Sequence, residues 1–224
     1  MFYFATLFDV NYLSRGLTLI HSLNTVLKQN FHLYILTLDT ETYDYFINYS
    51  NKNVSLISLN EIESDFPELL EAKTNRSKIE YYFTLSPILP LFILKKYKSC
   101  DRITTLDADI YFFSSPEHIF NSFKKDAILI TPHDFSPENI DKIIYGIYNV
   151  SFQSFPNSED SILILENWKN KCLAWCKDEL DKENNRYADQ KYLDTWMTEF
   201  NNIESINSET MGRAPWNISN TKLQ

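Results

Sequence analysis

The first sixty residues carry the strongest constraint on the fold. Residues 2–8, Phe-Tyr-Phe-Ala-Thr-Leu-Phe, are almost wholly apolar. Strands read this way when helices cover both faces of a parallel sheet. After a loop in which Asn11 is a candidate helix cap, Leu13, Leu17, Ile20, Leu23 and Leu27 recur at helical spacing. Residues 31–38 form a second apolar strand, residues 41–49 a short helix and residues 54–59 a third strand. The order is β-α-β-α-β, which predicts an α/β domain with a mostly parallel central sheet flanked by helices. In open sheets of this kind, ligands bind beyond the carboxyl ends of the strands.

The rest of the chain continues the pattern. Residues 80–98 predict a helix kinked by Pro87 and Pro90. Strands are expected at 102–106, 127–131 and 148–155. A helix is expected at 161–180, with Ile162, Leu165, Trp168, Cys172 and Trp175 inward, and a shorter one at 188–196. The tail from residue 201 to 224 is polar and predicted irregular. With no repeat and no Gly/Ser linker, residues 1–224 read as one domain, long enough to fold without a disulfide or metal staple.

Charge and cysteine content narrow the partners. The 30 acidic residues outnumber 21 Lys and Arg, for a net charge of −9. A nucleic-acid partner needs a basic face, so none is expected. The sum leaves a peripheral membrane contact open, because local patches matter more. Lys95, Lys96 and Lys98 form one such patch, read as a solvated helix end. Cys100, Cys172 and Cys176 match neither a disulfide framework nor a zinc knuckle; Cys172 and Cys176 read as core residues of a helix, and all three fit a reducing compartment. The opening residues lack a basic signal-peptide region, and no run is long enough to span a bilayer, so a cytoplasmic location is expected.

The sharpest chemical signal is Leu106-Asp107-Ala108-Asp109 at the end of an apolar strand. Two carboxylates spaced by two residues point the same way on a strand, and each raises the other's pKa. A hard divalent cation, Mg²⁺ or Mn²⁺, removes that conflict by taking both as oxygen ligands alongside a diphosphate.

With these residues the chain resembles GT-A glycosyltransferases, and is similar to glycosyltransferase family 8 and related bacterial nucleotide-diphospho-sugar transferases. The matching pieces run in the family's order along nearly the whole chain. They are Phe4 to Tyr12, Arg76 to Leu85, Leu106 to Asp109, Tyr148 to Phe152, Ala188 to Lys191 and Gly212 to Asn217. The resemblance implies a Rossmann-like GT-A fold and metal-dependent transfer of a sugar from a nucleotide-diphosphate donor, UDP by family default, to a hydroxyl. It implies retention of configuration and a glycan, lipid-linked or protein acceptor. By resemblance, Thr6, Asp9 and Tyr12 hold the base and ribose, Arg76 meets phosphate or sugar, and Asp107 and Asp109 bind the metal. Asn149, Asp189 and Gln190 fall near the reacting sugar.

Three departures stand out. Ser151 replaces the Gly of the family's Phe-Asn-x-Gly, and Tyr82-Phe83-Thr84 loses the Arg of a Tyr-x-Arg pattern. The C-terminal segment Gly212-Arg213-Ala214-Pro215-Trp216 lacks the family's metal-ligand His and its Lys. Arg213 is a candidate replacement for the lost positive charge. Trp216 either covers the diphosphate or pins the tail. Asn207 and Glu209 are positional candidates for a third metal ligand. His133, just past the strand 127–131 at the end where ligands bind, is expected on the surface, with reach to the acceptor as the alternative. The alternatives are a nucleotidyltransferase, which would want a Gly-rich loop that this chain lacks, and a non-catalytic nucleotide-sugar binder.

Overall fold

The computed structural model describes residues 1–28, 30–49, 51–206 and 211–221. Seven strands form one sheet. They are β1 (Phe2–Phe8), β2 (Phe31–Thr37), β3 (Val54–Ser58), β4 (Arg102–Leu106), β5 (Ile128–Pro132), β6 (Tyr148–Pro156) and β7 (Ile203–Ser205), in the order β3-β2-β1-β4-β6-β5-β7. All neighbouring pairs are parallel except those of β6, which runs antiparallel to β4 and β5. From β1 the chain first builds outward through β2 to β3. It then returns to lay β4 on the other side of β1. The boundary between β1 and β4 is therefore the topological switch point, where the crevice of an open α/β sheet lies.

Helices cover both faces, as the apolar strands predict. One face packs against α1 (Leu13–Leu27), α2 (Thr40–Ile47) and α7 (Glu117–Ser122), through Leu19, Ile20, Leu23, Phe46 and Ile119. The other packs against α3 (Leu59–Asp65), α4 (Leu69–Asn75), α5 (Lys78–Thr84), α6 (Ile88–Lys96), α8 (Glu159–Ala174) and α9 (Trp196–Glu199). On this second face Trp168 and Trp196 meet edge to face, their ring centres 5.3 Å apart. All three cysteines are free and buried. Gly16 lets α1 lie directly on β1, since a Cβ there would fall 2.4 Å from the Phe8 ring.

Several boundaries differ from expectation. Asp9, not Asn11, caps the loop after β1. Its Oδ1 accepts from the Asn11 backbone N–H at 3.1 Å and starts a 3-10 turn over Val10–Tyr12. The helix expected at 80–98 is two helices, α5 and α6, separated by Leu85, Ser86 and Pro87. Pro87 has no N–H to continue the ladder, whereas Pro90 sits in the first turn of α6, where the N–H groups lack intrahelical partners anyway. The helix expected at 161–180 runs from Glu159 to Ala174, capped by Ser158. The segment expected at 188–196 is a 3-10 stretch over Gln190–Thr195 that leads into α9. Ile203–Ser205, expected to be irregular, adds to the sheet as β7 alongside Ile128–Ile130.

Candidate functional site

A cleft of about 440 Å³ opens at the carboxyl ends of β1 and β4, at the switch point. It gathers Thr6, Asp9, Tyr12, Asp107, Asp109, Asp189 and Gln190, seven of the residues singled out from the sequence. Its floor follows from strand register. Ala5 lies beside Thr105, and Thr105 opposite Gln153, so these three share one face of the sheet. One side-chain layer nearer the mouth, the Asp107 N–H donates to the Ser151 carbonyl at 2.9 Å.

Asp107 and Asp109 are open to the cleft. Enclosure by the cleft walls, then the negative charges of Asp109 and Asp189, push the Asp107 carboxyl up to about 7. Asp189 faces them from the segment after α8 and is only 2% exposed. Burial raises its carboxyl to about 6, partly offset by hydrogen bonds that favour the charged form. One of these comes from the Ser86 hydroxyl at 2.5 Å, freed by the break between α5 and α6. The Trp168 indole N–H holds the Asp189 carbonyl at 2.9 Å. Ala188, just before it, is held in the left-handed region at φ 46°, a strained position for a residue with a Cβ. The Gln190 side-chain amide donates to the Tyr145 carbonyl at 3.0 Å.

At the mouth, Asp9 joins β1 to α5. Its Oδ2 accepts from Lys78 Nζ at 2.9 Å and from Asn11 Nδ2 at 3.2 Å. Burial works to raise the Asp9 carboxyl, but these bonds outweigh it and hold the group below its ordinary value. Tyr12 is 43% exposed, with the Arg15 guanidinium 4.4 Å from its ring centre. Thr6 is buried, and its Oγ1 has no partner.

Other sequence candidates lie outside the cleft lining. Arg76 turns toward the end of α8, where its Nη1 donates to the Cys172 carbonyl and to Thr84 Oγ1, and its Nη2 to the Leu173 carbonyl, each at 2.8 Å. Asn149 uses its amide within the strands. Its Oδ1 accepts from the Ser151 N–H at 3.0 Å and its Nδ2 donates to the Pro132 carbonyl at 3.2 Å. Trp216 pins the tail, donating from Nε1 to the His133 carbonyl at 3.0 Å. Arg213 belongs to this same tail segment and does not line the cleft. His133, expected on the surface, is 6% exposed because Phe135 stacks on it and Trp216 meets its edge. Asn207 and Glu209 lie outside the described residues. Lys95 and Lys96 pair with Glu166 and Glu61, which neutralises two of the three lysines of the basic patch at the end of α6.

Among the cleft residues that the sequence did not single out, Ser86 and Gln153 carry polar side chains into it. Gln153 lines the floor at 1% exposure, and its Nε2 has no partner. The available signal was a long amide in an otherwise mostly apolar strand.

Among the described residues no cluster of three or more His, Cys, Asp or Glu is placed to hold a metal ion. Asp107 and Asp109 nevertheless fit part of a hard-cation donor set. They are two carboxylates on one short segment, open to the same cleft and close enough to Asp189 for its charge to act on Asp107.

Comparison with known proteins agrees with this architecture. No family model matches the chain. The uncharacterized protein YfnD of Bacillus subtilis (strain 168) is 30% identical over 225 residues, covering 99% of this chain and 71% of YfnD. The chain belongs to the YfnD family. A second relative, the uncharacterized protein YfnF of the same organism, is 28% identical over 221 residues, covering 96% of this chain and 71% of YfnF. Among solved structures, this YfnD-family chain resembles mouse xyloside xylosyltransferase 1 in its apo form, with a TM-score of 0.57 and 13% identity over 92% of this chain and 85% of that one. It also resembles the galactosyltransferase LgtC, solved with donor and acceptor sugar analogues, with a TM-score of 0.56 and 14% identity over 92% of this chain and 73% of that one. The fold is therefore the GT-A glycosyltransferase fold, α/β with a mostly parallel seven-stranded sheet. Among the described residues no helix is long and apolar enough to cross a membrane.

Proposed function

We propose that the protein is a metal-dependent glycosyltransferase, similar to family 8, that moves a sugar from a nucleotide-diphosphate donor, a UDP-sugar, to a hydroxyl with retention of configuration. The observation that carries this reading is the convergence of Asp107, Asp109 and Asp189 in one cleft at the switch point of a GT-A fold.

Asp107 and Asp109 would hold Mn²⁺ or Mg²⁺. When bound, the ion would neutralise the diphosphate and the charge that grows on it as the anomeric bond breaks. The chain's own groups divide the remaining work by depth. Asp9, Asn11 and Tyr12 at the mouth offer hydrogen bonds and an aromatic face to a nucleoside. Asp189, held by Ser86 and Trp168, accepts hydrogen bonds from sugar hydroxyls and is fixed in orientation while doing so. Leu7, Phe83, Leu89 and Val150 wall the cleft and limit access of water, which would otherwise hydrolyse the donor. A glycan, a lipid-linked intermediate or a protein supplies the hydroxyl. Three buried free thiols favour action in a reducing compartment, the cytoplasm.

The test is thermal unfolding with a panel of nucleotide sugars, with and without Mn²⁺, followed by an assay for released nucleotide. Metal-dependent stabilisation by one donor, with slow donor hydrolysis, supports a transferase. Stabilisation without release of nucleotide identifies a pure binder. No response to any donor removes the proposal.

A further inference from the structure

We propose that Gln153 is a specificity-determining residue, reading a hydroxyl of the donor's sugar from the floor of the cleft through its side-chain amide. The inference rests on the donor reading above and adds a residue to it. A buried amide nitrogen without a partner is uncommon in a folded protein, because its desolvation goes uncompensated. At Gln153 this amide belongs to a residue that is 1% exposed and lines an open cleft. A ligand atom entering the cleft can supply the missing acceptor.

The position selects the kind of atom. Gln153 lies opposite Thr105, while Ser151 is bonded to the backbone of Asp107. The side chain of Gln153 therefore leaves the sheet one side-chain layer, about 7 Å, below the level of Asp107, on the side away from the mouth. A donor whose diphosphate is held at Asp107 and Asp109, with its nucleoside against Tyr12 at the mouth, has its sugar left to enter this deeper space. The chemistry of the floor agrees. Ser86 and Asp189 present acceptor oxygens, Gln153 presents N–H donors, and Leu89, Val150 and Ala188 lie among them. A pyranose answers this pattern. Each hydroxyl both donates and accepts, and the ring's C–H faces pack against apolar side chains. A purely acceptor group would suit Gln153 but meet the Asp189 carboxylate unfavourably.

The test compares wild type with Gln153→Leu, which keeps the side chain's bulk and removes the amide. UDP-glucose, UDP-galactose, UDP-N-acetylglucosamine, GDP-mannose and dTDP-glucose are titrated calorimetrically with Mn²⁺, each beside its own nucleoside diphosphate. For the donor that wild type binds best, the variant is expected to bind about 10- to 100-fold more weakly, the range for one lost bond to a buried donor. Affinity for the matching nucleoside diphosphate stays within about twofold of wild type, and the ligand-free melting temperature does not fall. Equal weakening toward sugar donor and diphosphate, or no weakening toward either, overturns the assignment while leaving the transferase reading intact. If the Leu variant does not fold, Gln153→Asn, which withdraws the amide by one methylene, is read by the same two affinities. Wild type that binds neither donor nor diphosphate overturns the transferase reading, and this assignment with it.

Discussion

Ser86 donates its hydroxyl to the Asp189 carboxylate across 2.5 Å, joining the break between α5 and α6 to the segment that follows α8. Two residues 103 apart in sequence thus share one corner of the cleft. Ser86 lies in the break between the two helices, next to Pro87, which has no N–H to continue the ladder.

This pairing sets a pH signature. The folded-state pKa of Asp189, about 6, lies above its unfolded value near 3.8, so folding takes up a proton between them. Its ionised form costs stability, fully so above pH 6, and the cost fades as pH falls through 6 toward 4. Asp189→Asn keeps an oxygen to accept from Ser86 and removes the charge. The variant is expected to be more stable than wild type at pH 8, by at most roughly 3 kcal/mol, with the gap closing toward pH 4. Ser86→Ala should act the other way, losing stability most at pH 8. Thermal melts across pH check both signs. A pH-independent gap between Asp189→Asn and wild type would mean that the carboxylate is not the group in strain.

Asp107 and Asp109 are open to the cleft, so their removal should leave the fold intact. Asp107→Ala and Asp109→Ala are each expected to abolish Mn²⁺-dependent stabilisation by the donor and to lower turnover by on the order of 100-fold or more. The ligand-free melting temperature should hold or rise, because like charges are thinned. Retained metal-dependent donor hydrolysis in either variant would reject the metal assignment.

Strand β1, helix α1 and the Asp107–Asp109 pair were legible because their signals are local. A run of apolar residues, a helical period and two carboxylates at a strand end are each contained in a short window. Arg76 was not legible in that sense. Its place is set by the Cys172 and Leu173 carbonyls, about 96 residues away, which it caps where α8 stops at Ala174. The same long-range contact explains why the expected helix ran too far, since nothing local marks Trp175 as its end. Gln153 was hidden by an irregularity in β6. Leu129 pairs with Ser154, but Thr131 pairs with Asn149, so the strand's alternation breaks there and its faces cannot be counted from sequence. Strand β7 is three residues long and forms only by pairing with β5.

Arg76 yields a prediction that separates structure from chemistry. Its guanidinium holds two backbone carbonyls and Thr84 at once. Arg76→Ala should lower stability by about 2–3 kcal/mol, and Arg76→Lys should recover only part of this, because one ammonium cannot reproduce the planar fork. Donor affinity of the folded variant should match wild type. A large loss of donor affinity with unchanged unfolding would place Arg76 at the ligand instead.

Gly16→Ala tests how closely α1 lies on β1. In an exposed helix, Ala for Gly gains about 1 kcal/mol from backbone propensity. Here the new Cβ would fall within 3 Å of three Phe8 ring carbons, and overpacking of this kind costs about 1–3 kcal/mol. The ring is 3% exposed and also packs edge-on against Phe46, so it has little room to turn away. The net effect is expected to be destabilising. Because Phe8 directly precedes Asp9, a shifted ring should also weaken nucleotide binding at the cleft mouth. Phe8→Leu in the same chain should restore part of the stability by making room for the methyl. Chemical denaturation of the single and double variants measures the coupling. A single variant more stable than wild type would show that helix propensity outweighs the clash and that α1 can move off the strand.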